Sequence, residues 1–258
     1  MVFLLRSLKI LGLVLIILFG AISICIAQES RPGITPLQKE QLKDLAAEAK
    51  RKAMRERNDL RRARMDLFQI YKSYDMDERK AKAALAVINN AQLNLLNLHL
   101  QNQIELRQIL NEQQFKVFKK RMTKFRNHSM GVMPPRAEQL LENLPDREML
   151  KSAGISREQL RKSSMTLNPK REKIKVIEKL RRDSIKMMEL YSNYDLDTQT
   201  ARKLIQSIHD SQSDLSELNH KKQQNLRSLL TESQFVQVRD KIEKKMREKL
   251  PRQDSSRK

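Results

Sequence analysis

Tyr71-Lys72-Ser73-Tyr74-Asp75-Met76-Asp77 and Tyr191-Ser192-Asn193-Tyr194-Asp195-Leu196-Asp197 are the two stretches that decide the fold. They lie about 120 residues apart and place two tyrosines and two aspartates in one register, a repeat on the scale of a whole helical unit. A shared helical composition yields scattered Leu and Lys matches by chance, but not this. Working outward, Arg51–Met122 lies over Arg171–Ile242 without a gap. Leu60-Arg61-Arg62 falls on Leu180-Arg181-Arg182, and Leu106-Arg107 on Leu226-Arg227. Leu110, Glu112, Gln114 and Phe115 fall on Leu230, Glu232, Gln234 and Phe235. The chain is an internal duplication.

Composition sets the class of the repeated unit. Among 258 residues there are 5 glycines and 7 prolines, and aromatics make up 4%. Turn-formers are therefore scarce, and Lys, Arg, Glu, Leu, Gln and Ala favour long amphipathic helices over sheet. The expected fold is all-α, with two tandem helical-hairpin units at 34–126 and 154–250. A linker at 127–153 holds Gly131, Pro134 and Pro135, Pro145 keeps any helix around Ala137–Asn143 short, and 251–258 is a polar tail. In each unit a first helix, about Pro36–Lys72 or restarting near Pro169, runs into the Tyr-x-x-Tyr-Asp-x-Asp corner. Asp77 and Asp197 then cap a second, longer helix. That helix carries apolar or small residues at 81, 84, 88, 91, 95, 98, 106 and 109, and again at 201, 204, 208, 211, 215, 218, 226 and 229. Spacings of three and four make one buried stripe per copy. Matched stripes suggest that the copies fold onto each other as an internal pseudo-dimer.

The N-terminal segment bears on location. Arg6 and Lys9 precede an apolar run from Ile10 to about Ile26, closing in Cys25-Ile26-Ala27. A basic start, an apolar core and small residues before a cleavage point read as a secretory signal peptide over 1–27. An uncleaved membrane anchor is the alternative, because about 18 apolar residues just span a bilayer. Cys25 is the only cysteine, so the exported chain is expected to hold no disulfide, thiolate metal site or cysteine nucleophile. The expected location is periplasmic.

Four places repeat a small polar residue followed three positions later by glutamine: Thr35 and Gln38, Asn111 and Gln114, Ser156 and Gln159, Thr231 and Gln234. These are capping boxes, with Asn111 a close variant. The first side chain takes an N–H of the new helix, and the glutamine reaches back to the capping residue's own N–H. Ile34, Leu110, Ile155 and Leu230, each just ahead of a box, are placed to clip onto the helix and fix the turn.

At these residues the chain resembles a known family. Leu-Thr-Glu-Ser-Gln-Phe at 230–235 is a Leu-Thr-x-x-Gln motif of the kind that marks the Spy/CpxP family of small periplasmic helical proteins, zinc-resistance-associated relatives included. The likeness spans each unit: an early motif, a basic helix, an Asp-x-Asp corner, a long helix and a closing motif. The resemblance implies an ATP-independent, holdase-like chaperone for unfolded or misfolded envelope proteins, working through a basic, partly apolar helical surface. The alternative is an envelope-stress or metal-stress adaptor that regulates a membrane sensor kinase. Family members typically pair as antiparallel helical dimers, from which a tandem copy departs.

Charge and the differences between the copies suggest where partners bind. Lys and Arg outnumber Asp and Glu by 52 to 31, a formal net charge of +21, which attracts acidic partners with fast, salt-sensitive encounter. Candidate basic residues are Arg51, Arg55, Arg61, Arg62, Arg181 and Arg182. Copy one has Leu93, Leu96, Leu100 and Ile104 where copy two has Ser213, Ser216, His220 and Gln224. Four such apolar residues form either a client-binding patch or a contact buried against other helices. Nucleic-acid binding fits the charge but conflicts with export and with the shortage of stacking aromatics. His99, His128, His209 and His220 show no metal-ligand spacing, so no metal or cofactor is expected. No nucleophile elbow or phosphate loop is present in the sequence, and no enzyme chemistry is expected.

Overall fold

The computed structural model describes residues 33–129, 147–161 apart from 157 and 160, and 170–249. The expected signal segment with Cys25, the Pro134-Pro135 stretch and the expected polar tail lie outside these residues. Every described element is helical. In chain order they are α1 (Pro36–Lys72), α2 (Glu78–Ile109), α3 (Glu112–Ser129), α4 (Arg147–Ser152), α5 (Lys170–Leu190), α6 (Thr198–Leu229) and α7 (Glu232–Lys249).

Helices start where capping chemistry allows. Thr35 accepts a hydrogen bond from the Gln38 N–H at 3.2 Å, while Gln38 Oε1 takes the Thr35 N–H at 3.0 Å, with Pro36 in the first turn. Asn111 and Gln114 (2.9 and 3.0 Å), Ser156 and Gln159 (3.1 and 2.9 Å), and Thr231 and Gln234 (3.3 and 3.1 Å) repeat the exchange. Asp77 and Asp197 cap α2 and α6 through the N–H groups of Lys80 and Thr200. The α1 helix runs unbroken through the basic stretch.

The boxes also do something the spacing does not disclose: they pair. Gln38 and Gln114 exchange amide hydrogen bonds at 3.0 and 3.1 Å, and Gln38 Nε2 donates to Ile109 O at 2.7 Å. In the second unit Gln159 Nε2 donates to Leu229 O at 2.8 Å, and Gln234 Nε2 to Gly154 O at 3.2 Å. One orphan carbonyl at the end of each long helix, Ile109 O or Leu229 O, is thus satisfied by the glutamine that opens the unit. Beneath the first pair lie Leu42, Leu45, Leu106, Leu110, Phe115 and Phe118. Leu150, Ala153, Ile155, Leu226, Leu230, Phe235 and Val238 form the second copy of that core.

Two boundaries differ from expectation. The α3 helix runs to Ser129, into the expected linker. Residues 147–153 are not linker either: Leu150 and Ala153 are buried with Phe235 and Val238, so α4 belongs to the second unit. Pro145 and the expected short helix around Ala137–Asn143 lie outside the described residues.

The α1 helix packs along α2, α5 along α6, and α2 along α6. The two units grip each other reciprocally. Arg107, on α2, donates from Nε to Tyr194 O at 2.8 Å and from Nη2 to Tyr191 O at 3.0 Å and Asn193 O at 2.6 Å. Arg227, on α6, donates from Nε to Tyr74 O at 3.1 Å and from Nη2 to Tyr71 O at 2.7 Å and Ser73 O at 2.8 Å. Each guanidinium is held by its own helix, through Gln103 O and Gln223 O, both at 2.6 Å. The tyrosine at each corner answers: Tyr194 Oη donates to Leu110 O and Tyr74 Oη to Leu230 O, each at 3.0 Å. Phe115 and Phe235 complete the grip, with guanidinium carbons 4.4 and 4.6 Å from their ring centres.

Arg107→Ala and Arg227→Ala are each expected to lower stability by about 2–4 kcal/mol, since each strips a half-buried cluster of carbonyls of its charge-assisted donors. The Lys variants are expected to recover only part of the loss, for want of a planar fork. Urea unfolding of the four variants checks this; near-neutral alanines would remove the grip as a determinant of assembly.

Candidate functional site

The apolar candidates are not free. Leu96 and Leu100 are 3% exposed each and pack with Leu180, Met187, Ala201, Ile205, Ile208 and Leu215 of the second unit, with Leu93 and Ile104 half-buried beside them. The expectation of an open client-binding patch at Leu93, Leu96, Leu100 and Ile104 is corrected: four large apolar side chains on one stripe are covered by the other copy. The counterpart positions make the polar half of the same interface. Ser213 Oγ accepts from Asn89 Nδ2 at 3.0 Å. His220 sits between Tyr71 Oη (2.9 Å from Nδ1) and Glu78 Oε1 (2.8 Å from Nε2), its ring stacked on Tyr71. The hydrogen bond from His220 holds the Glu78 carboxyl below its ordinary range.

At the opposite end His99 takes a different role. It is buried edge-on against the Tyr191 ring, with centroids 4.7 Å apart. Burial, aided by the nearby Arg107 charge, pushes its pKa down to about 4. Burial likewise raises the pKa of Tyr71 and Tyr191, so both phenols stay protonated. Among the described residues no group of three or more His, Cys, Asp or Glu side chains is placed to hold a metal ion. Asp77 and Asp197 are engaged as helix caps.

The basic candidates stand differently. Arg51, Arg55, Arg61, Arg62, Arg181 and Arg182 are all exposed, on the outer helices α1 and α5. Among them sit large apolar side chains that sequence reading passed over: Met54 (52% exposed), Met65 (54%), Ile174 (50%), Ile185 (40%) and Met188 (39%). These are not scattered. Met54 corresponds to Ile174, Met65 to Ile185 and Phe68 to Met188 in the alignment of the copies. An apolar class recurring at three positions, two of them exposed in both copies, was the available signal; it is hidden because the residues match in type and not in identity. Two further arginines, Arg57 and Arg64, lie half-buried on α1. Arg57 Nη2 has no hydrogen-bond partner, and burial lowers the Arg64 pKa to about 10. Both guanidinium groups remain charged.

Among the described residues no helix is long and apolar enough to cross a membrane. Comparisons with protein-family models, with curated proteins and with solved structures gave no match.

Two outcomes are expected from this geometry. Leu96→Ala and Leu100→Ala should each cost about 2–5 kcal/mol in denaturant unfolding, the range for truncating a buried leucine; losses under about 0.5 kcal/mol would return both residues to the surface. For His99, the folded state disfavours the charged ring, so the unfolded chain binds more protons between the ordinary pKa of 6.5 and about 4. Stability should therefore fall as pH drops through that window, by about 3 kcal/mol in all, and then stop changing on this account. His99→Phe should flatten that slope, which a series of urea titrations at stepped pH would reveal.

Proposed function

We propose that this chain is an ATP-independent, holdase-like chaperone of the Spy/CpxP kind, acting on unfolded or misfolded envelope proteins outside the cytoplasm. The observation that carries the reading is the exposed mixture of Arg61, Arg62, Arg181 and Arg182 with Met54, Met65, Ile174 and Ile185 on the outer helices of both units. Arginine charges collect acidic segments from a distance and give fast encounter. Isolated, flexible apolar side chains then supply weak contacts that do not demand a particular sequence, and Met adapts its shape with little cost. Such contacts release a client without nucleotide hydrolysis. The apolar contact is proposed for these outer helices, since the copy-one leucines are used in holding the units together.

The test is aggregation suppression by the purified protein with no nucleotide, on a panel of chemically unfolded acidic proteins. Protection at low salt that weakens several-fold toward 0.5 M salt is the expected result, as charge screening shortens the reach of the arginines. Replacing Arg61, Arg62, Arg181 and Arg182 together by Gln should reduce protection with helix content unchanged. Absence of protection across the panel would transfer the assignment to the adaptor of a membrane sensor kinase.

A further inference from the structure

The exposed side of α2 is uncharged in a chain where 32% of residues carry charge. No Lys, Arg, Asp or Glu occurs from Ala83 to Ile104. Advancing by 100° per residue, Ala83, Val87, Asn90, Asn94, Asn97 and Gln101 fall within an arc of about 80°, and all six are exposed. The other side of the helix is occupied: Ile88 and Leu95 pack in the core of the first unit, and Leu96 and Leu100 against the second unit. Copy two treats the same positions differently. Asp210, Asp214 and Glu217 of α6 stand where α2 has Asn90, Asn94 and Asn97. There Glu217 pairs with Lys221 at 3.0 Å and Asp210 accepts from Gln206 at 2.7 Å, as on an ordinary solvated face. An amide in place of each acid removes the charge from α2 and keeps its capacity for hydrogen bonding.

Spacings of four and three along this arc are those of a helix–helix seam. Two chains of net charge +21 repel each other, and their approach is least opposed where both are neutral. The amides also select the direction of pairing. Asn94 Nδ2 donates to Glu56 Oε2 at 3.1 Å, and Gln101 Nε2 to Glu105 Oε1 at 2.7 Å. A carboxylate only accepts, so these nitrogens are committed and the two amide oxygens are left as acceptors. Asn90 and Asn97 hold no side-chain hydrogen bond among the described residues, which leaves their amide nitrogens as donors. Antiparallel pairing sets Asn94 against Asn97 of a second chain, Asn90 against Gln101, and Val87 against the half-buried Ile104. Each polar layer then joins a donor to an acceptor. Parallel pairing would set each residue against itself, acceptor facing acceptor. We propose that two copies of this chain pair through the outward faces of their α2 helices, antiparallel about a twofold axis between Asn94 and Asn97. Such a contact is isologous and closes on itself. Polar layers fix register at a cost in stability, so the dimer is a weak one. It does not rest on the chaperone reading.

Sedimentation equilibrium of the full chain, from about 1 µM to about 1 mM, covers the range of weak pairing. The expected result is a monomer–dimer equilibrium that strengthens several-fold between about 0.05 and 0.5 M salt, as screening removes the repulsion. Client capture through arginines has the opposite salt dependence, so the two readings fail separately. The triple change Asn90→Asp, Asn94→Asp and Asn97→Glu gives α2 the residues that α6 already carries at those positions, and circular dichroism confirms equal helix content. It should weaken pairing about tenfold or more by setting acids against each other, although it lowers the net positive charge. Orientation is read by disulfide trapping in a Cys25→Ser background. An equimolar mixture of Asn94→Cys and Asn97→Cys chains should link readily, whereas Val87→Cys chains, held about 25 Å apart at that position, should not. These single changes carry the test on their own if the triple variant loses helix content. A monomer at every concentration would overturn the proposal. So would equal association of the parent and triple variant, association that salt weakens, or Val87→Cys chains linking as fast as the mixed pair.

Discussion

Two guanidinium groups hold this molecule in its shape. At each corner α1 or α5 stops and leaves carbonyl oxygens that no helical N–H can reach. Arg107 and Arg227 supply the missing donors, each from the long helix of the opposite unit. A helix C-terminus carries partial negative charge, so a cation fits there electrostatically as well as by hydrogen bonding. A planar five-donor fork can span three carbonyls of one turn, which a lysine ammonium cannot. Lys119 and Arg239, equivalent positions on α3 and α7, extend the grip to Ser192 O and Lys72 O. Because neither corner is fully satisfied by its own unit, each depends on the other copy for donors to its last carbonyls.

The same dependence accounts for how the copies diverged. In a dimer of identical chains, a residue near the twofold axis must suit both sides of the interface. A single chain with two copies is free of that condition. Here Leu96 and Leu100 insert among apolar residues of α5 and α6, while Ser213 and His220 face polar groups of the first unit. One half of the interface is apolar and adaptable, the other directional. At the crossing of α2 and α6 the oxygens Asn89 Oδ1, Gln92 Oε1 and Gln212 Oε1 are buried without a partner in the structure. Such groups cost stability at a contact, which the packing of Leu96 and Leu100 and the arginine grips at its ends offset.

Packed cores inside and mixed chemistry outside are the features that the proposed chaperone reading draws on. The cores take up most of the large aliphatic and aromatic side chains, leaving Met54, Met65, Ile174 and Ile185 among the arginines at the surface of α1 and α5. Methionine and arginine both present long, adaptable side chains, so contact at these faces depends little on the shape of what they meet.

How far the sequence could be read follows from the range of each interaction. The all-helical class, the corners at Tyr71–Asp77 and Tyr191–Asp197, and all four capping boxes rest on residues within a few positions of one another, and they stand in the structure as read. Local hydrogen bonds and helical period leave a local trace. The role of Leu96 and Leu100 left none, because an apolar stripe looks the same whether another helix or solvent lies beside it; only the second unit's position decided that they are buried. Likewise Arg107 and Arg227 appear in sequence as one more repeated Leu-Arg pair. Their partners lie some 80 to 160 residues away, brought near by packing alone, and only the fold could make them the joint on which both units close.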